Sequence, residues 1–158
     1  MDGYIIKDVS ESTDRFKLYV LQCGETQLEK SIDCLRAQAI SVVNLGKEMA
    51  IYLNTVQDHS YLSIDAYDYS KEILDKHKSK IAGKGNDIIA IYNLGILLEP
   101  ALELRAVQLL QEFSKSAALI IIWENQTMVP DKLYWPSQTS GFFLDFSESK
   151  LKRLQNAI

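Results

Sequence analysis

The sequence has few cysteines, prolines, glycines and histidines, and this scarcity excludes several classes of protein. Its 158 residues include 2 cysteines, 3 prolines, 7 glycines and 2 histidines. Cys23 and Cys34 form no CxxC pair and have no histidine close by in the sequence. We therefore expect reduced thiols, and neither a disulfide scaffold nor a zinc site. The chain also has no internal repeat, low-complexity tract or linker.

Long apolar runs are absent as well. No run reaches the roughly 18 residues that a membrane span needs. The acidic Asp2 stands where a secretory signal carries basic residues before a longer apolar stretch. We therefore expect a soluble, cytoplasmic protein that contacts no membrane.

A basic charge excess is missing too. The formal net charge is -4 and the pI is about 5.2, which argues against broad, sequence-independent capture of DNA or RNA. A local basic patch stays open. The content of 47% apolar and 24% charged residues is typical of a globular protein, and we expect one domain over residues 1–158.

What the sequence does contain is an alternation of short apolar runs with segments of helical period. This alternation predicts an α/β fold with a mostly parallel central sheet of about five strands. The third and fourth runs are almost uninterrupted, which is typical of central strands covered on both faces. The predicted strands are residues 16–22, 39–44, 87–93, 118–123 and 141–146.

Apolar residues three or four positions apart predict helices between the strands. Pro100 suits a helix start, Ser147 suits a cap, and residues 83–86 (GKGN) suit a turn. Residues 124–140, with Pro130 and Pro136, are interpreted as a loop. The predicted helices are residues 28–38, 46–56, 67–80, 101–114 and 147–156, and the second should bury Met49, Ala50, Tyr52 and Leu53.

The first strand-to-helix turn, residues 24–31 (GETQLEKS), resembles a phosphate loop. Gly24, Lys30 and Ser31 match the pattern G-x-x-x-x-G-K-[ST], and Glu29 replaces the second glycine. In that motif backbone N–H groups cradle the phosphates, the lysine reaches the terminal phosphates and the hydroxyl binds magnesium. Gly24, Lys30 and Ser31 are therefore the candidate nucleotide-binding residues.

Two departures from the motif predict a degenerate site. Glu29 and Glu25 place carboxylates where they would repel a triphosphate. A phosphate-loop enzyme also needs an acidic residue at the end of a second apolar strand to hold magnesium. The best candidate for that strand, residues 87–93, ends in Asn93, and the next carboxylate is Glu99. ATP and Mg²⁺ stay open as cofactors without being favoured, and no catalytic or metal-ligating residue is assigned.

Other candidate residues have simpler interpretations. His59 and His77 are the only histidines, and we expect them at the surface. Asp65 and Asp68 could form an acid–base pair, although aspartates are common at helix starts. We expect Trp123 to close the core, and the loop that carries Trp135 and Tyr134 to be the better candidate for a partner contact.

A run of lysines is the remaining signal for nucleic acid. Lys76, Lys78, Lys80 and Lys84 could contact a phosphate backbone or the acidic face of a partner. Lysines near the C-terminus of a helix also complement its dipole. Nucleic acid is therefore an open partner that is not favoured.

The order of these features resembles the BrxF family, small P-loop proteins of BREX-type phage-defence systems. The resemblance includes the phosphate-loop-like turn and the segments VVNLGKEMAIYL and DIIAIYNLGILLEP. The shared features are an acidic-proline step at residues 97–100, a leucine-rich helix with Leu109 and Leu110, the pair Ser114 and Lys115, and a strand that ends in Trp123.

The resemblance implies a RecA-like, three-layer P-loop fold with nucleotide binding at Gly24, Lys30 and Ser31. Family members would show an intact phosphate loop and an aspartate near Tyr92 or Asn93, and this sequence has neither. The leading hypothesis is an accessory subunit of a bacterial defence system that acts through contacts with other defence proteins, with nucleotide binding weak or lost. The alternatives are an active Mg-dependent ATPase, completed by Glu99 or by another subunit, and a nucleic-acid-binding accessory protein; self-association stays open.

Overall fold

The fold is an α/β arrangement with a mostly parallel central sheet, as the sequence predicts. The computed structural model describes residues 3–58, 60–124, 128–134 and 143–154. The strands in chain order are β1 (Leu18–Gln22), β2 (Ser41–Asn44), β3 (Ser79–Ile81), β4 (Lys84–Tyr92), β5 (Ala118–Trp123), β6 (Met128–Val129), β7 (Lys132–Tyr134), β8 (Phe143–Asp145) and β9 (Lys152–Leu154).

Five helices accompany the strands within the described residues. They are α1 (Gly3–Glu11), α2 (Leu28–Ala37), α3 (Leu45–Leu53), α4 (Leu62–His77) and α5 (Ala106–Ser116), with short 3₁₀ helices at Glu25–Gln27, Gly95–Leu98 and Pro100–Leu102. None of the helices in this part of the chain has the length and hydrophobicity needed to cross a bilayer.

Five strands of the central sheet are parallel, in the spatial order β2-β4-β5-β1-β9. If the five parallel strands are numbered 1 to 5 along the chain, their order across the sheet is 2-3-4-1-5. The short β3 pairs antiparallel with the beginning of β4. A separate antiparallel sheet contains β6, β7 and β8.

Helices cover both faces of the central sheet because its buried side chains alternate along each strand. Leu18 and Val20 of β1 join the larger apolar cluster, which includes residues of α3, α4, α5 and the small sheet. Tyr19 and Leu21 join the smaller cluster, which includes residues of α1 and α2. All six residues of β5 are buried, which explains its uninterrupted apolar sequence.

The topology identifies one crevice at the carboxyl edge of the sheet. Neighbouring strands β1 and β5 are aligned so that Gln22 lies beside Trp123. After β1 the chain enters α2, on the face of the smaller cluster, whereas after β5 it reaches the small sheet on the opposite face. In open α/β sheets ligands bind where the connections diverge in this way.

The predicted strands 16–22, 39–44, 87–93 and 118–123 are confirmed as β1, β2, β4 and β5 with small changes at their ends. Residues 141–146 contain β8, but it belongs to the small antiparallel sheet. The loop interpretation of residues 124–140 is wrong where β6 and β7 form; Pro136 lies outside the described residues.

The predicted terminal helix at 147–156 is wrong. Ser147 closes a turn by donating from its backbone N–H to Asp145 Oδ1 at 2.9 Å. Lys150 has φ 66°, a left-handed conformation that a right-handed helix cannot continue. The Leu151 N–H then donates to Asp131 Oδ1 at 2.8 Å, and the chain continues into β9 beside β1.

Two helix starts also differ from the prediction. Pro100 begins a 3₁₀ helix that ends at Leu102, the following Glu103 has φ 46°, and α5 begins only at Ala106. The helix predicted at 67–80 begins five residues earlier, at Leu62, and ends at His77. No element is predicted from the sequence for residues 3–11, which form α1.

The inward face predicted for the second helix is confirmed for Met49, which is fully buried, and for Leu53, which is half-buried and packs against the larger cluster. It is wrong for Ala50, which is exposed. Tyr52 is half-buried and stacks on Tyr69 of α4.

Candidate functional site

The phosphate-loop-like turn lies at the carboxyl end of β1, between a strand and a helix. The Cys23 N–H donates to the Trp123 carbonyl at 2.9 Å, which extends the pairing of β1 with β5 by one residue. Gly24 follows in an extended conformation with φ -78° and ψ 162°. The turn therefore borders the crevice between β1 and β5.

The backbone after Gly24 is helical from Glu25 onward. The Gln27 N–H donates to the Gly24 carbonyl at 2.9 Å, and the 3₁₀ helix Glu25–Gln27 runs directly into α2. The N–H groups left without helical partners therefore lie near residues 24–27, and Lys30 and Ser31 come after this first turn.

The matched residues differ in their exposure to solvent. Lys30 is exposed to solvent, whereas Ser31 is fully buried. Burial raises the pKa of the Cys23 thiol, and the neighbouring Ser31 hydroxyl offsets part of that rise.

Carboxylates surround the crevice. Glu25 and Glu29 are exposed on the first helical turns, and Glu124 is half-buried directly after β5. Burial raises the pKa of Glu124, and the Glu25 carboxylate raises it further. This negative charge does not fit a triphosphate, which needs cations beside the N–H donors.

Glu124 is the residue of this site that the sequence analysis missed. Its signal in the sequence is its position immediately after the apolar run 118–123. That position gains meaning only because β5 lies beside β1, and strand order cannot be read from the sequence.

The cysteines behave as predicted, since neither forms a disulfide. Burial is the main cause that raises the pKa of Cys23, with a further contribution from Glu124 that also raises it. A thiol with a raised pKa is a poor nucleophile at neutral pH. Across the described residues, no three His, Cys, Asp or Glu side chains are grouped so that they could hold a metal ion.

Asn93, which stands where the resemblance leads one to expect an aspartate, has a structural role. Its Nδ2 donates to Asn44 Oδ1 at 2.9 Å, and the same oxygen accepts from the Lys47 N–H at 3.0 Å, which caps α3. Asn93 has φ 62°, a conformation that asparagine tolerates. Glu99, the next acidic residue along the chain, is exposed.

This corner is packed tightly around Gly46. A Cβ atom on Gly46 would lie 2.5 Å from Asn93 Nδ2 and 2.6 Å from the Asn93 carbonyl oxygen. Only glycine therefore fits between α3 and the end of β4. The contact ties the second parallel strand to the third at the carboxyl edge.

The lysine run is divided between three elements, and two of its members have acidic partners. Lys78 pairs with Asp75 at 3.2 Å, and Lys80 pairs with Asp87 at 3.4 Å. These ion pairs reduce the positive charge that the run offers to a phosphate backbone.

The remaining candidates have separate locations. Trp123 is buried, with 3% of its surface exposed, which confirms its role in the core. His77 is half-buried at the end of α4, and Asp65 and Asp68 lie on the outer side of the same helix. His59 and Trp135 lie outside the described residues.

Comparison with known proteins adds no relative. No protein-family model, curated protein or solved structure matches the chain.

Proposed function

We propose that the protein is a small accessory subunit of a bacterial anti-phage defence system of the BREX type. Its fold is that of a P-loop-like, RecA-like domain, it acts through protein contacts, and its nucleotide site is weak or lost. Support for the fold comes from the order strand, turn, helix around residues 24–31. Support for the family comes from the resemblance to BrxF described above.

One observation carries the loss of nucleotide binding. The helical backbone begins at Glu25, so the Lys30 amine is in solvent while the Ser31 hydroxyl is in the core. Glu25 and Glu124 add negative charge at the place that phosphates would occupy. We assign no chemical step to ATP or Mg²⁺ here because the residues do not fit them.

An exposed surface on α3 and α4 supports action through protein contacts. Large apolar side chains on it are exposed: Tyr61 at 66%, Ile64 at 58% and Ile51 at 52%. Large apolar side chains exposed on two helices that pack together, as α3 and α4 do, favour interaction with a partner. Ile64 lies on α4 one turn before Asp68, so apolar and acidic groups alternate along this helix.

Aromatic stacking and carboxylates define the same surface further. The ring of Tyr52 on α3 stacks on Tyr69 of α4 at 3.9 Å. Burial raises the pKa of Tyr52, and the Asp65, Glu72 and Asp68 carboxylates raise it further. We call this surface, formed by Ile51, Tyr52, Tyr61, Ile64, Asp65, Asp68, Tyr69 and Glu72, the acidic aromatic face. A partner that covers it would offer basic and apolar groups.

The nucleotide part of the proposal is tested by thermal stability with and without millimolar Mg-ATP, on the parent and on Lys30→Ala. A ligand at 100 times its dissociation constant adds about 2.7 kcal/mol. We expect no shift in either protein. A rise in melting temperature that Lys30→Ala abolishes would contradict the proposal and favour the Mg-dependent ATPase.

The contact part is tested by purifying the tagged protein from its native host and identifying the proteins that co-purify. We expect a defence-system protein that is lost with Ile64→Arg, because the new cation repels a basic partner surface. Lys7→Ala, an exposed position on α1 at the opposite face of the sheet, should retain it and is the control. A monodisperse monomer that retains no partner would contradict this part.

A further inference from the structure

A groove runs along the outer strand β2. It encloses about 460 Å³ and is lined by residues of α2, β2, α3, the end of α4 and the end of β4. Within the described residues β2 pairs with β4 only, so its other edge faces the groove. An edge strand with an accessible backbone is a template for pairing with another chain.

The direction of the backbone groups can be read from one hydrogen bond. Arg36 Nη2 donates to the Val42 carbonyl at 3.3 Å, so this carbonyl faces the groove and not β4. Because alternate residues of a strand direct their backbone groups to the same side, the N–H of Asn44 faces the groove as well. The four residues of β2 span about 13 Å.

The groove is closed at one end. Ser79 of β3 pairs with Ile88 of β4, and Ser41 of β2 pairs with Ile89. The strands β2 and β3 therefore lie end to end along β4, and the end of α4 covers the junction. An extended chain could enter from the end near Lys47.

Two cations from different helices line the groove. Arg36 comes from α2 and Lys47 from α3, whereas Glu48 is the one carboxylate among the lining residues described. In a chain with a net charge of -4 this is a local reversal of sign. Carboxylates on an incoming segment would complement it.

We propose that this groove binds an extended, acidic peptide segment of a partner protein, which adds to the central sheet as a further strand beside β2. A carboxylate of the segment pairs with the Arg36 guanidinium, which then no longer donates to the Val42 carbonyl. That carbonyl then accepts a backbone N–H from the segment. Arg36 thus shields the edge when the groove is empty and recognises acid when it is filled. The site is separate from the crevice at β1 and from the acidic aromatic face, so it goes beyond the proposed function.

The test uses a synthetic probe, an acetylated and amidated seven-residue peptide in which Asp or Glu alternates with Val. Amide chemical shifts of the ¹⁵N-labelled full chain are followed during titration. We expect saturable shifts at Val42 and Asn44 with a dissociation constant below about 1 mM. The same peptide N-methylated at alternate amides keeps its charges but cannot pair as a strand, and it should produce no saturable shift.

Variants separate charge recognition from strand pairing. Arg36→Ala and Lys47→Ala should each weaken binding of the acidic probe by about fivefold. Lys71→Ala, a cation outside the groove, should leave binding unchanged. Arg36→Ala should also reduce the preference for the acidic probe over one with Ser in place of each acid.

Three outcomes would overturn the proposal. They are no shift at β2 with the acidic probe, equal binding of the N-methylated probe, and equal binding of a probe with Lys in place of each acid. Concentration-dependent dimerisation that shifts Val42 without any peptide would assign the edge to a second copy of the chain instead. The proposed function is tested by other residues, so failure here leaves it standing.

Discussion

Two strand-to-helix turns lie at the same edge of the sheet and are built in opposite ways. The turn from β1 to α2 carries the residues of a phosphate-loop motif, yet no side chain caps either helical segment in it. The turn from β2 to α3 carries no motif. It is held by Asn44, which caps α3 and accepts from Asn93, and by the close packing of Gly46.

This difference shows that a sequence motif and a set of stabilising contacts can occur in separate turns. A phosphate loop depends on a backbone conformation in which several N–H groups point inward. In the first turn the backbone is already helical at Glu25, the matched lysine is exposed and the matched serine is buried. In the second turn a set of mutual contacts fixes the backbone, and those contacts involve amides where a nucleotide enzyme would use a carboxylate.

Glycine substitution is expected to give the largest contrast between the two turns. Gly46→Ala places a Cβ atom at 2.5 Å from Asn93 Nδ2 and should lower the free energy of unfolding by about 3 kcal/mol. Gly24→Ala meets no atom closer than 4.0 Å and should change it by less than about 0.5 kcal/mol. Urea denaturation of both variants measures this, and equal losses would remove the distinction.

Removal of the cap is expected to have the next largest effect. Asn44→Ala removes the acceptor for the Lys47 N–H and for Asn93 Nδ2, and should cost about 1 to 2 kcal/mol of unfolding free energy. Thr26→Ala, in the first turn, is the matched control and should stay within about 0.5 kcal/mol of the parent. A loss with Thr26→Ala as large as with Asn44→Ala would mean that the first turn is also held by side chains.

The substitution Glu29→Gly restores the second glycine of the motif and tests whether the first turn can then bind nucleotide. Glu29→Gly should destabilise α2 by about 0.5 to 1 kcal/mol, since glycine is a poor helix former. It should produce no thermal stabilisation by Mg-ATP, because the helical start at Glu25 remains. A nucleotide-dependent rise in melting temperature would show instead that the Glu29 carboxylate alone blocks the site.

The smallest expected effect is on the pH dependence of stability. The folded pKa of Glu124 is raised by burial and by Glu25, so the folded state favours the protonated carboxyl. This contribution to stability is complete below the ordinary carboxyl pKa and is lost as the pH rises through the folded pKa.

Glu124→Gln should therefore flatten the decline in unfolding free energy as the pH rises from acidic values towards neutrality. Denaturation at a series of pH values measures it. Thr26→Ala, which changes no titratable group, should keep the slope of the parent. An unchanged slope in Glu124→Gln would place the Glu124 carboxyl in water.

The central strands could be predicted because their own residues are almost all apolar, which indicates that they are buried. Residues 118–123 are apolar throughout since both faces of β5 are covered. The strand β9 could not be predicted, because the residues that follow Ser147 suit a helix, and only the left-handed Lys150 and pairing with β1 determine otherwise. Local preference was overridden there by a partner more than a hundred positions away.

The site was predictable in position but not in geometry. The turn after β1 follows from the sequence, because a short apolar strand and a helix enclose it. The place of Glu124 beside it depends on strand order, and the groove beside β2 depends on three helices that meet only in the folded chain. Neither leaves a local pattern of residues.

The late pairing of β9 with β1 has a consequence for how the protein is made. Arg153 Nη2 donates to Gln22 Oε1 at 2.8 Å, across 131 positions of the chain. During synthesis on the ribosome, one edge of β1 therefore stays unpaired until residues 152–154 have emerged. An unpaired edge invites association with other nascent chains. Chaperone demand should consequently be greatest just before this last parallel strand is translated.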